Sequence, residues 1–257
     1  MKRTLLGATA AVLLSATTLF AAPIHTAAEK GDLAKVQSLV KAKPALVSLK
    51  NADGETPLHA ACAGGQKAVA EFLLANGADV KATDGEGMTP LHHAATSTET
   101  AVISLLLAKG AEVDARDNEG VTPLLIAVAG GEMPQINLLL AAKADPKIVD
   151  KAGMTALHYA AGDGESDVPD RIEIYKLLVG KGVAIGTADA DGVTPLHLAA
   201  AAGEKEAVMF LLGHGASSAV KDKAGKTPID YAVEAEEPEI AELLKKAARI
   251  DALHMQE

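Results

Sequence analysis

Thr56-Pro57-Leu58-His59-Ala60-Ala61 decides how this chain is read, because the chain repeats it. It returns as Thr89-Pro90-Leu91-His92-His93-Ala94 and as Thr194-Pro195-Leu196-His197-Leu198-Ala199. Looser copies stand at Thr122-Pro123-Leu124-Leu125-Ile126-Ala127, Thr155-Ala156-Leu157-His158-Tyr159-Ala160 and Thr227-Pro228-Ile229-Asp230-Tyr231-Ala232. The threonines are spaced 33, 33, 33, 39 and 33 residues apart, and a degenerate first copy, Pro23-Ile24-His25-Thr26-Ala27-Ala28, begins 34 residues before Pro57. A fixed period of this length marks an array of supersecondary units, each too small to bury its own apolar face. Seven such units are counted.

The unit from 51 to 83 shows the local physics. Asn51-Ala52-Asp53-Gly54 is a turn, with Gly54 free to take positive φ. Thr56 caps the helix that Pro57 opens, since proline suits the first helical turn. Leu58, Ala61 and Cys62 give that short helix a stripe of small apolar groups, and Gly64-Gly65 ends it. A second helix follows with Val69, Ala70, Leu73 and Leu74 on one face. Gly77 stops it in the left-handed region, and Asp79-Val80-Lys81 is expected to run extended into the next turn.

This pattern resembles the ankyrin repeat. The family pattern of Asp-x-x-Gly-x-Thr-Pro-Leu-His, an Ala-Ala pair, a Gly, a Leu-Leu pair and Gly-Ala-Asp is matched almost residue by residue from Gly54 to Asp79, and again, with a few departures, from Asp84 to Glu112 and from Asp189 to Ala216. The resemblance covers about residues 23–248. It implies an all-α solenoid of stacked helix-turn-helix repeats with short β-hairpin fingers, and a concave face that binds other proteins. It also implies that the repeated histidine (His25, His59, His92, His158, His197) ties finger to helix by hydrogen bonds. The repeats divide at approximately 22–50, 51–83, 84–116, 117–149, 150–188, 189–221 and 222–248, followed by a tail at 249–257. By the same resemblance the variable finger residue before each threonine, namely Glu55, Met88, Val121, Met154, Val193 and Lys226, faces a partner. That run is acidic at one end, apolar in the middle and basic at the other.

Several units depart from the pattern. The first has no finger; Val36, Leu39 and Val40 are expected to pack inward as an N-terminal cap. In the fourth, Leu125 replaces His and Lys143 stands where glycine ends the second helix elsewhere. The fifth carries six extra residues within Gly162 to Asp170. Asp163, Glu165 and Asp167 alternate there as in a calcium loop, but Val168 sits where the sharp turn needs Gly and Ile174 where a bidentate Glu belongs. A solvated acidic loop is the better reading, with a calcium-binding or calcium-regulated protein as the alternative. In the seventh, Asp230 replaces His, and the polar second helix suits a solvent-facing cap.

Lys2 and Arg3 followed by an uncharged stretch from Leu5 to Phe20 read as a secretory signal peptide, residues 1–21, cut after Ala21. The apolar run, about 16 residues, falls short of the roughly 20 that a membrane span needs. The expected location is the periplasm, with no membrane insertion after cleavage. Thirty-four acidic against 24 basic residues give −10, and losing Lys2 and Arg3 gives −12. That charge disfavours nucleic acid, whose phosphates call for basic faces. The single cysteine, Cys62, permits no intramolecular disulfide and reads as a small buried hydrophobe. Equivalent histidines on helices stacked about 8–10 Å apart cannot share an ion whose bonds are about 2 Å long. No His-Glu-x-x-His, Gly-x-Ser-x-Gly, Cys-x-x-Cys or phosphate loop is present. The expectation is therefore a non-catalytic module for an unidentified protein partner, without metal or cofactor.

Overall fold

The computed structural model describes residues 23–161 and 171–254. They fall into two compact units that divide between Asp145 and Pro146. The segment read as a signal peptide, 1–21, and the acidic insertion, 162–170, lie outside the described residues.

The first unit is a run of helix pairs: α1 (Pro23–Glu29) with α2 (Leu33–Ala42), α3 (Pro57–Ala63) with α4 (Lys67–Ala75), α5 (Pro90–Ala95) with α6 (Thr100–Ala108), and α7 (Pro123–Ala129) with α8 (Met133–Ala141). The first helices of successive pairs pack against one another, α1 on α3, α3 on α5 and α5 on α7. The second helices form a parallel row, α2 on α4, α4 on α6 and α6 on α8. The second unit repeats this scheme with α9 (Ala156–Ala160) and α10 (Arg171–Gly180), α11 (Pro195–Ala201) and α12 (Lys205–Gly213), and α13 (Pro228–Glu234) and α14 (Pro238–His254).

Four of the first helices, α3, α5, α9 and α11, start the same way. The threonine before each holds extended backbone, as at Thr56 with φ −90° and ψ 165°, and a histidine three residues on closes a reciprocal cap. Small residues on these helices, among them Ala61, Cys62, Ala94, Ala199 and Ala200, are at most 1 % exposed, which lets neighbouring helices approach closely. Leu58, Leu73, Leu91, Ile103, Leu106, Leu124, Ile136 and Leu139 fill the first unit's core with no exposed surface to speak of. Burying one such side chain contributes about 1.5–3 kcal/mol.

The second helix ends where the chain turns left-handed, at Gly77 with φ 92°. Lys143 takes the same role at φ 72°, and a side chain there costs roughly 1 kcal/mol more than glycine does. Glu236, at φ 62°, is a second such residue, in the turn between α13 and α14.

Three expectations change, and one turn departs from that of the second repeat. The fingers are hairpin turns rather than β-hairpins: no strand forms among the described residues. Each finger closes with a single pair of backbone bonds, such as Asp84 N to Met88 O (3.0 Å) and Gly87 N to Asp84 O (3.3 Å), too few for a ladder. Asp79 to Ala82 is a turn, not an extended run, because the Asp79 carboxylate accepts from Lys81 N and its carbonyl from Ala82 N. The third repeat has no glycine pair between its helices; Thr96 to Glu99 make that turn, and the buried Gln135 of the next repeat donates to Ser97 O at 2.6 Å. The last helix runs to His254, beyond the expected boundary at 248. In the N-terminal pair, Val36 and Val40 are buried as expected and Leu39 is half-buried.

Candidate functional site

The fingers are assembled from three kinds of bond. The first residue of each finger, Asp or Asn, folds its side chain over the turn: Asp84 Oδ1 accepts from Glu86 N and Met88 N, both at 2.9 Å. Asn51, Asp117, Asp189 and Asp222 do the same in their own fingers. Backbone bonds then link finger to finger, from Gly85 N to Asp53 O and from Asn118 N to Glu86 O in the first unit. The second unit has Ala190 N to Ala152 O and Lys223 N to Asp191 O.

The histidines supply the third kind. His59 Nδ1 accepts from Thr56 N (3.0 Å), and Nε2 donates to Met88 O (3.1 Å) in the next finger. A ring nitrogen that accepts from a backbone N–H carries no proton, so the bonds define the neutral Nε2–H tautomer. His92 reaches Val121 O, His158 reaches Val193 O and His197 reaches Lys226 O at 3.0–3.2 Å in the same way. His25 Nε2 lies 3.0 Å from Leu49 O and 2.9 Å from Glu55 O. Burial drives the His59 pKa down to about 4, helped by the neighbouring His93 charge and opposed by the bond to Met88. Burial likewise lowers His92, His158 and His197. Asp230 keeps only the cap, accepting from Thr227 N (2.8 Å) and Oγ1 (2.7 Å). Its shorter side chain makes no bond onward, and it stands in the last repeat. Leu125 has no polar atom for either bond.

The backbone of every expected contact residue is therefore held in place. Glu55, Met88, Val121, Met154 and Lys226 are half-buried, each with side-chain surface left over. Val193 corrects the sequence reading: it is 5 % exposed and belongs to the core. Burying a valine contributes at least about 1.5 kcal/mol, and the finger takes that gain within the chain. Glu55 Oε2 accepts from Asn51 Nδ2 (2.8 Å), and Lys226 Nζ pairs with Glu234 (2.6 Å). Cys62 is fully buried and its thiol pKa is pushed far up, which removes it as a nucleophile.

The structure adds two arrangements that sequence reasoning missed. The residue four after the capping threonine bonds to its own finger nine positions back: Tyr159 to Asp150 (2.8 Å), Tyr231 to Asp222 (2.9 Å) and His93 Nε2 to Asp84 Oδ2 (2.8 Å). Burial alone would raise the Asp84 pKa, but the bonds from His93, Met88 N and Glu86 N outweigh it and hold the carboxyl below its usual range. Glu55 also lies at this point, its Oε1 4.0 Å from His93 Nδ1. A second cluster joins Arg171, Glu204 and Tyr175. Arg171 Nε is 3.4 Å from Glu204 Oε1, its Nη1 donates to Ala160 O (2.9 Å), and the Tyr175 hydroxyl meets Glu204 Oε2 (3.3 Å). The only sequence signal for the first arrangement is a polar residue paired with Asp at a separation of nine.

A family model described as ankyrin repeats (3 copies) matches residues 24–117, 113–170 and 167–254. The chain belongs to the ankyrin-repeat family. Its all-helical repeat fold agrees with that membership. Ankyrin repeats generally mediate protein–protein interaction, and the family is typically non-catalytic. No curated protein matches the chain. No described helix is long and apolar enough to cross a membrane.

Proposed function

We propose that this ankyrin-repeat chain is an exported, non-catalytic adaptor that binds a partner protein through its finger residues. One observation carries the reading. The finger backbone is pinned by the same histidine and Asp/Asn bonds in repeat after repeat, while the side chain it presents changes from acid to methionine, valine or lysine. A rigid scaffold with variable tips recognises a partner at little ordering cost. In the first unit the tips are Glu55, Met88 and Val121; in the second they are Met154 and Lys226, with Val193 acting as packing. Methionine adapts to irregular surfaces, and charged tips orient a partner more than they bind it. Ala129, Gly130, Ala201 and Ala202, all partly exposed, leave room beside the tips. Export and a periplasmic location rest on the n-region, apolar stretch and Leu19-Phe20-Ala21 of the sequence.

The test is capture by crosslinking from a periplasmic extract. Val121→Glu with Met154→Glu, one change in each unit, abolishes capture while the circular-dichroism spectrum and melting temperature stay nearly unchanged. Normal capture by the double variant refutes the finger site. Unfolding assigns both side chains to packing.

A further inference from the structure

We propose that Glu55, Asp84 and His93 bind a divalent transition-metal ion, with zinc(II) the ion that suits the donor set. One ligand atom from each of the three residues lies within 4.8 Å of the other two. His93 Nε2 and Asp84 Oδ2 are 2.8 Å apart, a hydrogen bond whose two ends need part by only about 0.6 Å to become neighbouring ligands on one ion. Zinc with bonds of about 2.0–2.1 Å to nitrogen and oxygen spaces tetrahedral ligand atoms roughly 3.4 Å apart. Ligand atoms up to 4.8 Å apart must close to that spacing, which asks Glu55, whose side chain is 30 % exposed, to swing by on the order of 1 Å and to turn away from Asn51 Nδ2. Two carboxylates and one imidazole then hold the ion, and a water completes four-coordination.

The electrostatics of the place favour a cation. The Asp84 side chain is only 4 % exposed, so little water screens its carboxylate from an ion. Asp53 and Glu86 line the same cleft, of about 630 Å³, beside Glu55 and Asp84. Lys50 is the one basic residue in that lining, and its Nζ is turned to Thr83 O at 2.7 Å.

The repeats themselves supply the control. Tyrosine at the position of His93 makes the same tie to the finger aspartate, in Tyr159 and in Tyr231. Tyr231 also makes the same edge contact to the preceding repeat's histidine: His197 and Tyr231 have ring centroids 5.0 Å apart, His59 and His93 5.1 Å apart. The tie therefore needs no imidazole. Where Tyr231 stands, the finger residue one repeat earlier is the buried Val193; where His93 stands, it is Glu55. Among the described residues, only His93 joins a ligating ring to its finger aspartate and to a second carboxylate from the preceding finger.

The experiment is calorimetric titration of the full, untagged chain with zinc chloride near neutral pH, with cobalt(II) absorption as a probe of tetrahedral coordination. The expected result is a single zinc per chain and a higher melting temperature with metal. Glu55→Gln keeps the Asp84–His93 tie and weakens binding by about tenfold or more. His93→Tyr installs the side chain that two other repeats use, and removes binding while leaving the metal-free melting temperature near that of the parent. If His93→Tyr does not fold, Glu55→Gln decides alone. Absence of zinc binding by the parent chain overturns the proposal. So does binding that is unchanged in the variants, since that places the ion elsewhere.

Discussion

Replacing His158 tests whether the repeated histidine works as a two-ended clamp. Its ring is fully buried, with Nδ1 accepting from Thr155 N (3.0 Å) and contacting Thr155 Oγ1 (2.8 Å), and Nε2 donating to Val193 O (3.0 Å). His158→Leu removes both ends. The Thr155 N–H, in a residue only 4 % exposed, is left without a partner, which costs about 1–3 kcal/mol. The lost Nε2 bond adds roughly 1 kcal/mol, for a total of about 2–4 kcal/mol. His158→Asn restores the Thr155 cap in the manner of Asp230 and loses only the Val193 end. Val193 O still accepts from Asp189 N at 2.8 Å, so the Asn variant costs about 1–2 kcal/mol, packing included. Urea denaturation at pH 7.5 reads both values. The pH dependence gives a second readout. Burial lowers the His158 pKa from 6.5, opposed by its bond to Val193 and by Asp189 and Asp150, while the nearby His197 lowers it further. The folded state therefore takes up this proton at lower pH than the unfolded state does. The contribution of His158 is fully present above pH 6.5 and is lost as pH falls through the folded pKa. The Asn variant thus loses less stability than the parent between pH 7.5 and 5. An Asn variant as costly as the Leu variant, or one with the parent's full pH slope, refutes the clamp.

Lys143→Gly is expected to be neutral or stabilising by up to about 1 kcal/mol, because Lys143 sits at φ 72° where other repeats use glycine; denaturant midpoints check it, and clear destabilisation contradicts the left-handed assignment. Exported protein is expected to begin Ala22-Pro23-Ile24-His25, and intact-mass measurement that finds Met1 retained rules out the signal peptide.

The 33-residue period, the Thr-Pro caps and the helix-ending glycines were legible in the sequence because each acts over one or two helical turns. Lys143 could be placed in the left-handed region for the same reason: its register against Gly77 and Gly110 is a local fact. The histidine clamp was legible only by resemblance, since Val193 O lies 35 residues from His158 and its distance from the ring is set by how repeats stack. Stacking also decided what period alone could not. It took Val193 out of the row of exposed tips and into the core, and it left the fingers as single turns because one pair of closing bonds is too short for a ladder. Glu55, Asp84 and His93 are separated by 29 and then 9 residues, and belong to two fingers and a helix. The bond of His93 to Asp84 comes from the fold within one repeat, but the approach of Glu55 comes from packing one finger on the next. A property that depends on two repeats meeting has no signature inside either of them, and only the tertiary structure brings these three side chains together.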